Sequence, residues 1–235
     1  MAETMAKQAA IAIDQSQFLH VTIDLPAADK LTFVAGMRKL VPLFTRPCPA
    51  SGTITAFGWP LVASMTNTRK GKARFLHLWK MANPARPLIS EVMEVCGADK
   101  NYGALDQLVD VEVQDIMHTN DSYSPRNWPV SAPKAYVHEM LDMTSDVGRL
   151  VAFENAMPVV ALQMQEKFGW TLLLAMLSNT GKLRRFVHFW QIRTPAPAAV
   201  AAATKFLCAQ PAYARAIRAR DADVFQAVGY GRRSP

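Results

Sequence analysis

The strongest constraint on this chain is an internal repeat. Residues 58–79 align with residues 169–190 without a gap, at an offset of 111, and eight of the 22 aligned positions are identical. Upstream the offset becomes 118. A duplicated supersecondary unit explains such a match at a fixed spacing. The matched pairs are Gly58/Gly169, Trp59/Trp170, Leu61/Leu172, Met65/Met176, Arg74/Arg185, Phe75/Phe186, His77/His188, Trp79/Trp190, and upstream His20/His138 and Asp24/Asp142.

Both repeats show the same order of predicted elements. Apolar residues alternate with polar ones in the predicted strands and recur at helical spacing in the predicted helices, while Gly, Asn and Pro mark the turns. Pro84 and Pro195 are expected to open the second helical region of each repeat. The predicted strands are 18–25, 53–66, 73–81 and 109–117 in the first repeat and 136–143, 170–178, 184–192 and 221–228 in the second, and the first helices are 28–45 and 145–168.

This order is βαββαβ, the split ferredoxin-like unit of the α+β class. A four-stranded sheet with both helices on one face leaves its other face bare, and that face must be covered. We therefore expect two tandem units packed sheet against sheet as an α+β barrel within one chain. The predicted boundaries are an N-terminal tail at 1–17, repeats at 18–117 and 136–230, and a linker at 118–135.

Composition excludes several classes of protein. Half of the residues are hydrophobic and 19% are charged, which is the balance of a chain with a buried core rather than a disordered one. No run of about 18 uncharged apolar residues occurs, so no membrane partner is predicted. The net charge of +7 is scattered without a nucleic-acid-binding motif. No signal peptide and no Cys-x-x-Cys motif is found, which favours a cytoplasmic protein without a metal site.

The hairpin of each repeat resembles the NIPSNAP family of the dimeric α+β barrel superfamily. The matching residues are Phe75–Lys80 and Phe186–Gln191, each with His and Trp two positions apart, although Met81 and Ile192 stand where the family has Tyr. The resemblance implies a ferredoxin-like barrel fold. It implies no single activity, since the superfamily includes cofactor-independent cyclases, isomerases and monooxygenases as well as haem enzymes.

Histidine and aspartate supply the candidate catalytic groups, because imidazole titrates near neutral pH. On the first strand His20 and Asp24 share a mixed face with Phe18 and Thr22. This face is expected to line the barrel interior, whereas the apolar set should face the helices. His77 lies on a strand face that is either barrel interior or packed on helices. The candidate catalytic residues are His20, His138, Asp24, Asp142, His77 and His188.

Aromatic residues are expected to shape a pocket for a hydrophobic or aromatic small molecule, and a matched arginine could bind a carboxylate. The candidate substrate-binding residues are Trp59, Trp79, Trp170, Trp190, Tyr123 and Arg185.

These candidates lead to three functional hypotheses. The first is a lyase-, isomerase- or cyclase-type enzyme without a cofactor, in which a barrel-interior His transfers protons. The second is a non-catalytic, NIPSNAP-like binding or scaffold protein, and the third is a haem-binding barrel protein. The sequence leaves open whether the chain also forms a homodimer.

Overall fold

The computed structural model describes residues 11–12, 16–49, 52–81, 89–128, 135–180 and 184–230. No helix within these ranges is long and apolar enough to cross a membrane. The strands are β1 (Ile11–Ala12), β2 (Gln17–Pro26), β3 (Leu61–Arg69), β4 (Lys72–Met81), β5 (Val111–Thr119), β6 (Asn127–Trp128), β7 (Ala135–Met143), β8 (Thr171–Ser178), β9 (Arg185–Ile192) and β10 (Ile217–Ala227). The helices are α1 (Lys30–Thr45), α2 (Ile89–Ala98), α3 (Lys100–Asp106), α4 (Val147–Phe168), α5 (Pro197–Cys208) and α6 (Pro211–Ala216).

The chain divides into two compact units. The first unit consists of Ser16–His118 with short segments that begin at Ser178 and at Val224. The second unit consists of Thr119–Leu177 and Arg184–Asp223 with the N-terminal segment, in which β1 pairs with β6.

The strands of the two repeats follow the same order. It is β5-β2-β4-β3 in the first repeat and β10-β7-β9-β8 in the second, so each first strand is central and each second strand lies beside the third. Both hairpins carry an irregularity in register at equivalent places, between Leu61 and Ala63 and between Leu172 and Leu174. The predicted α+β fold of duplicated ferredoxin-like units is therefore confirmed.

The structure corrects three predicted boundaries. Residues 53–60 precede β3 instead of opening it, because the Phe57 and Trp59 amides donate to the carbonyls of Leu43 and Phe44 at the end of α1, at 3.1 and 2.6 Å. Pro197, and not Pro195, opens α5. The strand β10 starts at Ile217, where the backbone extends directly after α6. Pro84 lies outside the described residues.

The apolar set of the first strand packs on the helices, as predicted. Leu19, Val21 and Ile23 on β2 contact a cavity that is also lined by Phe33 and Met37 of α1. Because side chains alternate along a strand, His20 and Asp24 point away from the helices. The apolar set of β2 thus forms the helix-packed core of the first unit.

Candidate functional site

The matched histidines His77 and His188 lie on the helix-packed faces of their sheets. In the first unit the His77 ring stacks on Phe33 of α1 with centroids 6.3 Å apart at 4°, and in the second unit His188 stacks on Phe153 of α4 at 6.1 Å and 4°. Both rings are almost completely buried. Of the two placements that the sequence left open, the structure shows the helix-packed one.

A tyrosine binds the outer nitrogen of each ring. The Tyr230 hydroxyl lies 2.7 Å from His77 Nε2, and the Tyr123 hydroxyl lies 2.7 Å from His188 Nε2. Burial raises the pKa of both phenols, so each keeps its proton. Each protonated hydroxyl faces an imidazole nitrogen, so we assign the hydroxyl as the donor and the ring proton to Nδ1.

In the second unit Nδ1 of His188 donates to a buried carboxylate, Glu139 Oε2, at 3.1 Å. Trp190 Nε1 donates to the same oxygen at 3.1 Å, and the Tyr213 hydroxyl donates to Oε1 at 2.7 Å. Arg220 Nε also donates to Oε1 and supplies the opposite charge. The carboxylate is fully buried and both of its oxygens are satisfied.

Opposing effects act on this carboxylate. Burial by itself raises the pKa of Glu139, but the hydrogen bond from His188, the charge of Arg220 and the hydrogen bond from Tyr213 lower it to about 2. The group is therefore ionised at neutral pH and locked inside the second unit. A buried carboxylate whose oxygens are both satisfied in this way stabilises the fold.

The first unit has the same frame with one decisive difference. Val21 pairs with His77 across the strands, where Glu139 pairs with His188 in the second unit. Arg220 is the fourth residue of β10, and the fourth residue of β5 is the uncharged Gln114, which pairs with Val21. The ion pair of the second unit is thus replaced by one apolar and one uncharged side chain.

A cavity of about 80 Å³ occupies the resulting space. Its walls come from the apolar residues of β2 and from α1, α2 and α3. Burial lowers the pKa of His77 to about 3, so this ring is neutral at physiological pH. The polar residues that line the cavity are His77, Trp79, Tyr102, Asp106, Glu112 and Gln114.

The exposed side of this cavity carries two carboxyl groups. Asp106 at the end of α3 and Glu112 on β5 are both solvent-exposed residues. Gln114 Nε2 donates to Glu112 Oε1 at 2.6 Å. Partial burial, opposed by this hydrogen bond and assisted by the charge of Asp106, raises the pKa of Glu112. Raised carboxyl pKa values in clefts are typical of acid–base sites.

The remaining predicted residues lie elsewhere. Asp24 accepts two hydrogen bonds from Arg74, at 2.7 and 2.8 Å, and Asp142 pairs with Arg185 at 3.3 Å, so these carboxylates and arginines have partners within the chain. The buried residues outside the cavity lining are His20, His138, Trp59 and Trp170.

The sequence analysis missed Glu139, Arg220, Tyr102, Tyr230 and Glu112 as site residues. Glu139 could have been noticed, because it interrupts the apolar set Val137 and Leu141 on β7. The match of Tyr102 with Tyr213 at the offset of 111 is a second signal. No sequence signal connects Tyr230 with His77, which lies 153 residues away.

No protein-family model matches the chain, and no curated protein matches it. Solved structures do match over nearly the whole chain. A protein named "putative monooxygenase" from Fusobacterium nucleatum has a TM-score of 0.58 at 6% identity, covering 92% of this chain and 94% of its own. An anthrone oxidase-like protein has a TM-score of 0.54 at 10% identity, covering 94% and 95%.

A haem-binding protein from Thermus thermophilus has a TM-score of 0.53 at 9% identity, covering 94% of each chain. A NIPSNAP domain protein from Burkholderia xenovorans also matches, over 38% of this chain and 90% of its own, with 15% identity and a TM-score of 0.28. The matches that span the chain show its fold: it is the duplicated ferredoxin-like α+β fold of the dimeric α+β barrel proteins.

Proposed function

We propose that the protein is a small-molecule enzyme that transfers protons on a hydrophobic, aromatic substrate bound in the first-unit cavity. The main observation in support is that a largely apolar cavity brings a few polar groups together, and one of them is a carboxyl with a raised pKa. This combination is the usual signature of a small-molecule site. The similarity to an anthrone oxidase-like protein supports an aromatic substrate.

In this proposal Glu112 is the general base. A base works best when its pKa approaches the operating pH, and the pKa of Glu112 is shifted upward in that direction. His77 has a low pKa and so is a poor base, but its neutral ring can donate or accept a hydrogen bond. The base therefore stands at the exposed side of the cavity and the hydrogen-bonding groups at the buried side.

Proton exchange on a small aromatic ketone tests this function without knowledge of the natural substrate. We expect the protein to accelerate hydrogen–deuterium exchange at the α-carbons of 2-indanone in D2O, measured by proton NMR. Glu112→Gln should lower the rate by about 100-fold, the usual contribution of a general base. The control Glu94→Gln changes an exposed carboxyl of α2 outside the cavity and should keep the wild-type rate.

The pH profile gives a second readout. Only the ionised base accepts a proton, and the pKa of Glu112 lies above 4.5. The exchange rate should therefore still rise as the pH increases above 4.5. Exchange no faster than in buffer, or an unchanged rate in Glu112→Gln, would contradict the proposal, and binding without exchange would favour a non-catalytic binding protein.

His20 and His138 remain predicted acid–base residues. They lie on the strand faces that point away from the helices. Their Ala variants in the same exchange assay test those roles separately from Glu112.

A haem-binding function is suggested by the similarity to the Thermus protein. The first-unit cavity does not fit a haem, because about 80 Å³ is far too small for a tetrapyrrole and His77 Nε2 is already bonded to Tyr230. Among the described residues, no three His, Cys, Asp or Glu side chains are grouped as metal ligands.

A further inference from the structure

The second unit shows which atoms the donors of this fold are arranged to bind. Around Glu139 three side chains of that unit, His188, Trp190 and Tyr213, direct hydrogen-bond donors at one carboxylate. The corresponding residues of the first unit are His77, Trp79 and Tyr102. All three line the cavity, where no carboxylate of the chain takes the place of Glu139 because that position is Val21.

The arrangement of the histidine and the tryptophan is preserved closely between the units. The centroids of His77 and Trp79 are 6.2 Å apart, against 6.0 Å for His188 and Trp190. In both units the tyrosine hydroxyl lies 2.7 Å from Nε2 of the histidine. The ring proton is therefore on Nδ1, which faces the neighbouring first strand. The first unit therefore holds donors around a space that an acceptor oxygen fills in the second unit.

The charge of the missing acceptor follows from Gln114, which is uncharged and pairs with Val21. In the second unit the charge of Glu139 is balanced by Arg220, whereas the first unit has no cation at the corresponding position. A carboxylate of a ligand would there be buried without a counter-charge, which costs several kcal/mol. An uncharged oxygen needs only the hydrogen bonds.

We propose that the cavity binds its ligand through an uncharged acceptor oxygen, such as an aromatic ketone carbonyl, placed among His77, Trp79 and Tyr102 where Glu139 places its carboxylate in the second unit. This rests on the proposed function and names the substrate class of the same site. Burial raises the pKa of Tyr102 to about 12, so its hydroxyl remains available as a donor.

Three probes of similar size test the oxygen site in the full-length protein. Acetophenone carries a neutral acceptor, cumene replaces the oxygen by a methyl group, and benzoate carries a negative charge. One hydrogen bond is worth about 1 kcal/mol and two or three are involved. Isothermal titration at pH 7 should therefore show acetophenone binding about 30- to 150-fold tighter than the other two.

Two tryptophan variants localise the effect. Trp79→Phe removes a donor and should reduce the preference for acetophenone over cumene severalfold. Trp59→Phe is the matched control, because Trp59 is buried but does not line the cavity. Equal affinity for cumene and acetophenone, tighter binding of benzoate, or an equal loss of preference in both variants would overturn the inference.

A second variant opens the corresponding place in the other unit. Glu139→Val with Arg220→Gln removes both charges of the ion pair together and reproduces Val21 and Gln114 of the first unit. If the double variant keeps its circular dichroism spectrum, we expect acetophenone to bind at two sites per chain instead of one. A folded double variant with one site would contradict the proposed position of the oxygen. If the double variant does not fold, the comparison of Trp79→Phe with Trp59→Phe tests the proposal.

These outcomes are separate from those of the exchange assay. Tighter binding of acetophenone without α-proton exchange contradicts the proposed reaction alone. Exchange with equal binding of cumene and acetophenone contradicts the oxygen site alone.

Discussion

At the residue scale, one difference between the repeats separates the two units. Glu139 fills the helix-packed face of the second unit with a charge that four donors satisfy, whereas Val21 leaves a cavity at the same register position. The matched histidines have the same ring geometry but different neighbours. After the duplication, the chemistry of this position was therefore decided by the residue opposite the histidine, not by the histidine itself.

Glu139 should make stability depend on pH. The pKa of its carboxyl is about 2 in the folded protein, against an ordinary value of 4.5, so its contribution is complete above pH 4.5 and is lost as the pH falls toward 2. A shift of this size corresponds to about 3 kcal/mol. Urea unfolding at pH 7 and pH 3 should show about 2 kcal/mol of this loss in the wild type and a smaller loss in Glu139→Gln.

The same substitution should also destabilise the protein at pH 7, by about 3 kcal/mol or more, because it leaves the Arg220 guanidinium without its counter-charge. Glu94→Gln, on the exposed surface of α2, is the control and should change neither value. An identical acid loss in the wild type and in Glu139→Gln would show that another group is responsible.

At the element scale, glycine positions show how the repeats set their local geometry. Gly58 and Gly169 are a matched pair, and both have a φ of +67°, the left-handed region that favours glycine. Gly169 ends α4, and its amide donates to the carbonyls of Met164 and Gln165. The residue after each glycine is the matched Trp59 or Trp170, so these glycines place equivalent tryptophans in both repeats.

Gly36 has a different role, in the packing of α1 on α3. A Cβ at this position would lie 2.4 Å from Cδ2 and 2.9 Å from Cγ of buried Leu105. Gly36→Ala should gain up to about 1 kcal/mol of helix propensity but lose about 1–3 kcal/mol by overpacking, so it should destabilise the protein. Gly103→Ala on α3 meets no atom within 4 Å and should be neutral or stabilising.

Thermal unfolding of these two variants checks the difference. A melting temperature of Gly36→Ala equal to or above that of Gly103→Ala would contradict the close contact between Gly36 and Leu105.

At the scale of the whole molecule, neither compact unit is one continuous stretch of chain. The first unit includes the segment that begins at Val224, although that segment follows the second repeat. Within it the Tyr230 hydroxyl binds His77, and the Val228 amide donates to the Ser64 carbonyl at 3.0 Å. The second unit likewise contains Tyr123, which follows the first repeat and binds His188.

A fragment of residues 1–118 should therefore not fold alone. It would lack the hydroxyl partner of His77 and the backbone partner of Ser64, and both are buried or partly buried groups. We expect a fragment without a cooperative thermal transition in circular dichroism. A folded monomer of 1–118 would contradict this, and the full-length chain measured in parallel is the control.

The sequence by itself determined the repeat, the order of the elements and the apolar face of β2. These features were predictable because alternation, helical spacing and the fixed offset are local or periodic properties of the chain. The matched pair His77 and His188 was also recognised as a candidate. Where strand boundaries were wrong, as at residues 53–60, backbone contacts with the end of α1 decided the outcome.

Only the tertiary structure decided which of the matched positions holds a cavity. That outcome depends on Val21 standing opposite His77, and on the hydrogen bond that Tyr230 forms with His77 from 153 residues away. The alternation of side chains along β7 places Glu139 on the helix-packed face. It does not predict the three donors and the arginine that stabilise the buried carboxylate. Cavities and satisfied buried charges arise from the packing of distant residues, so a local pattern does not encode them.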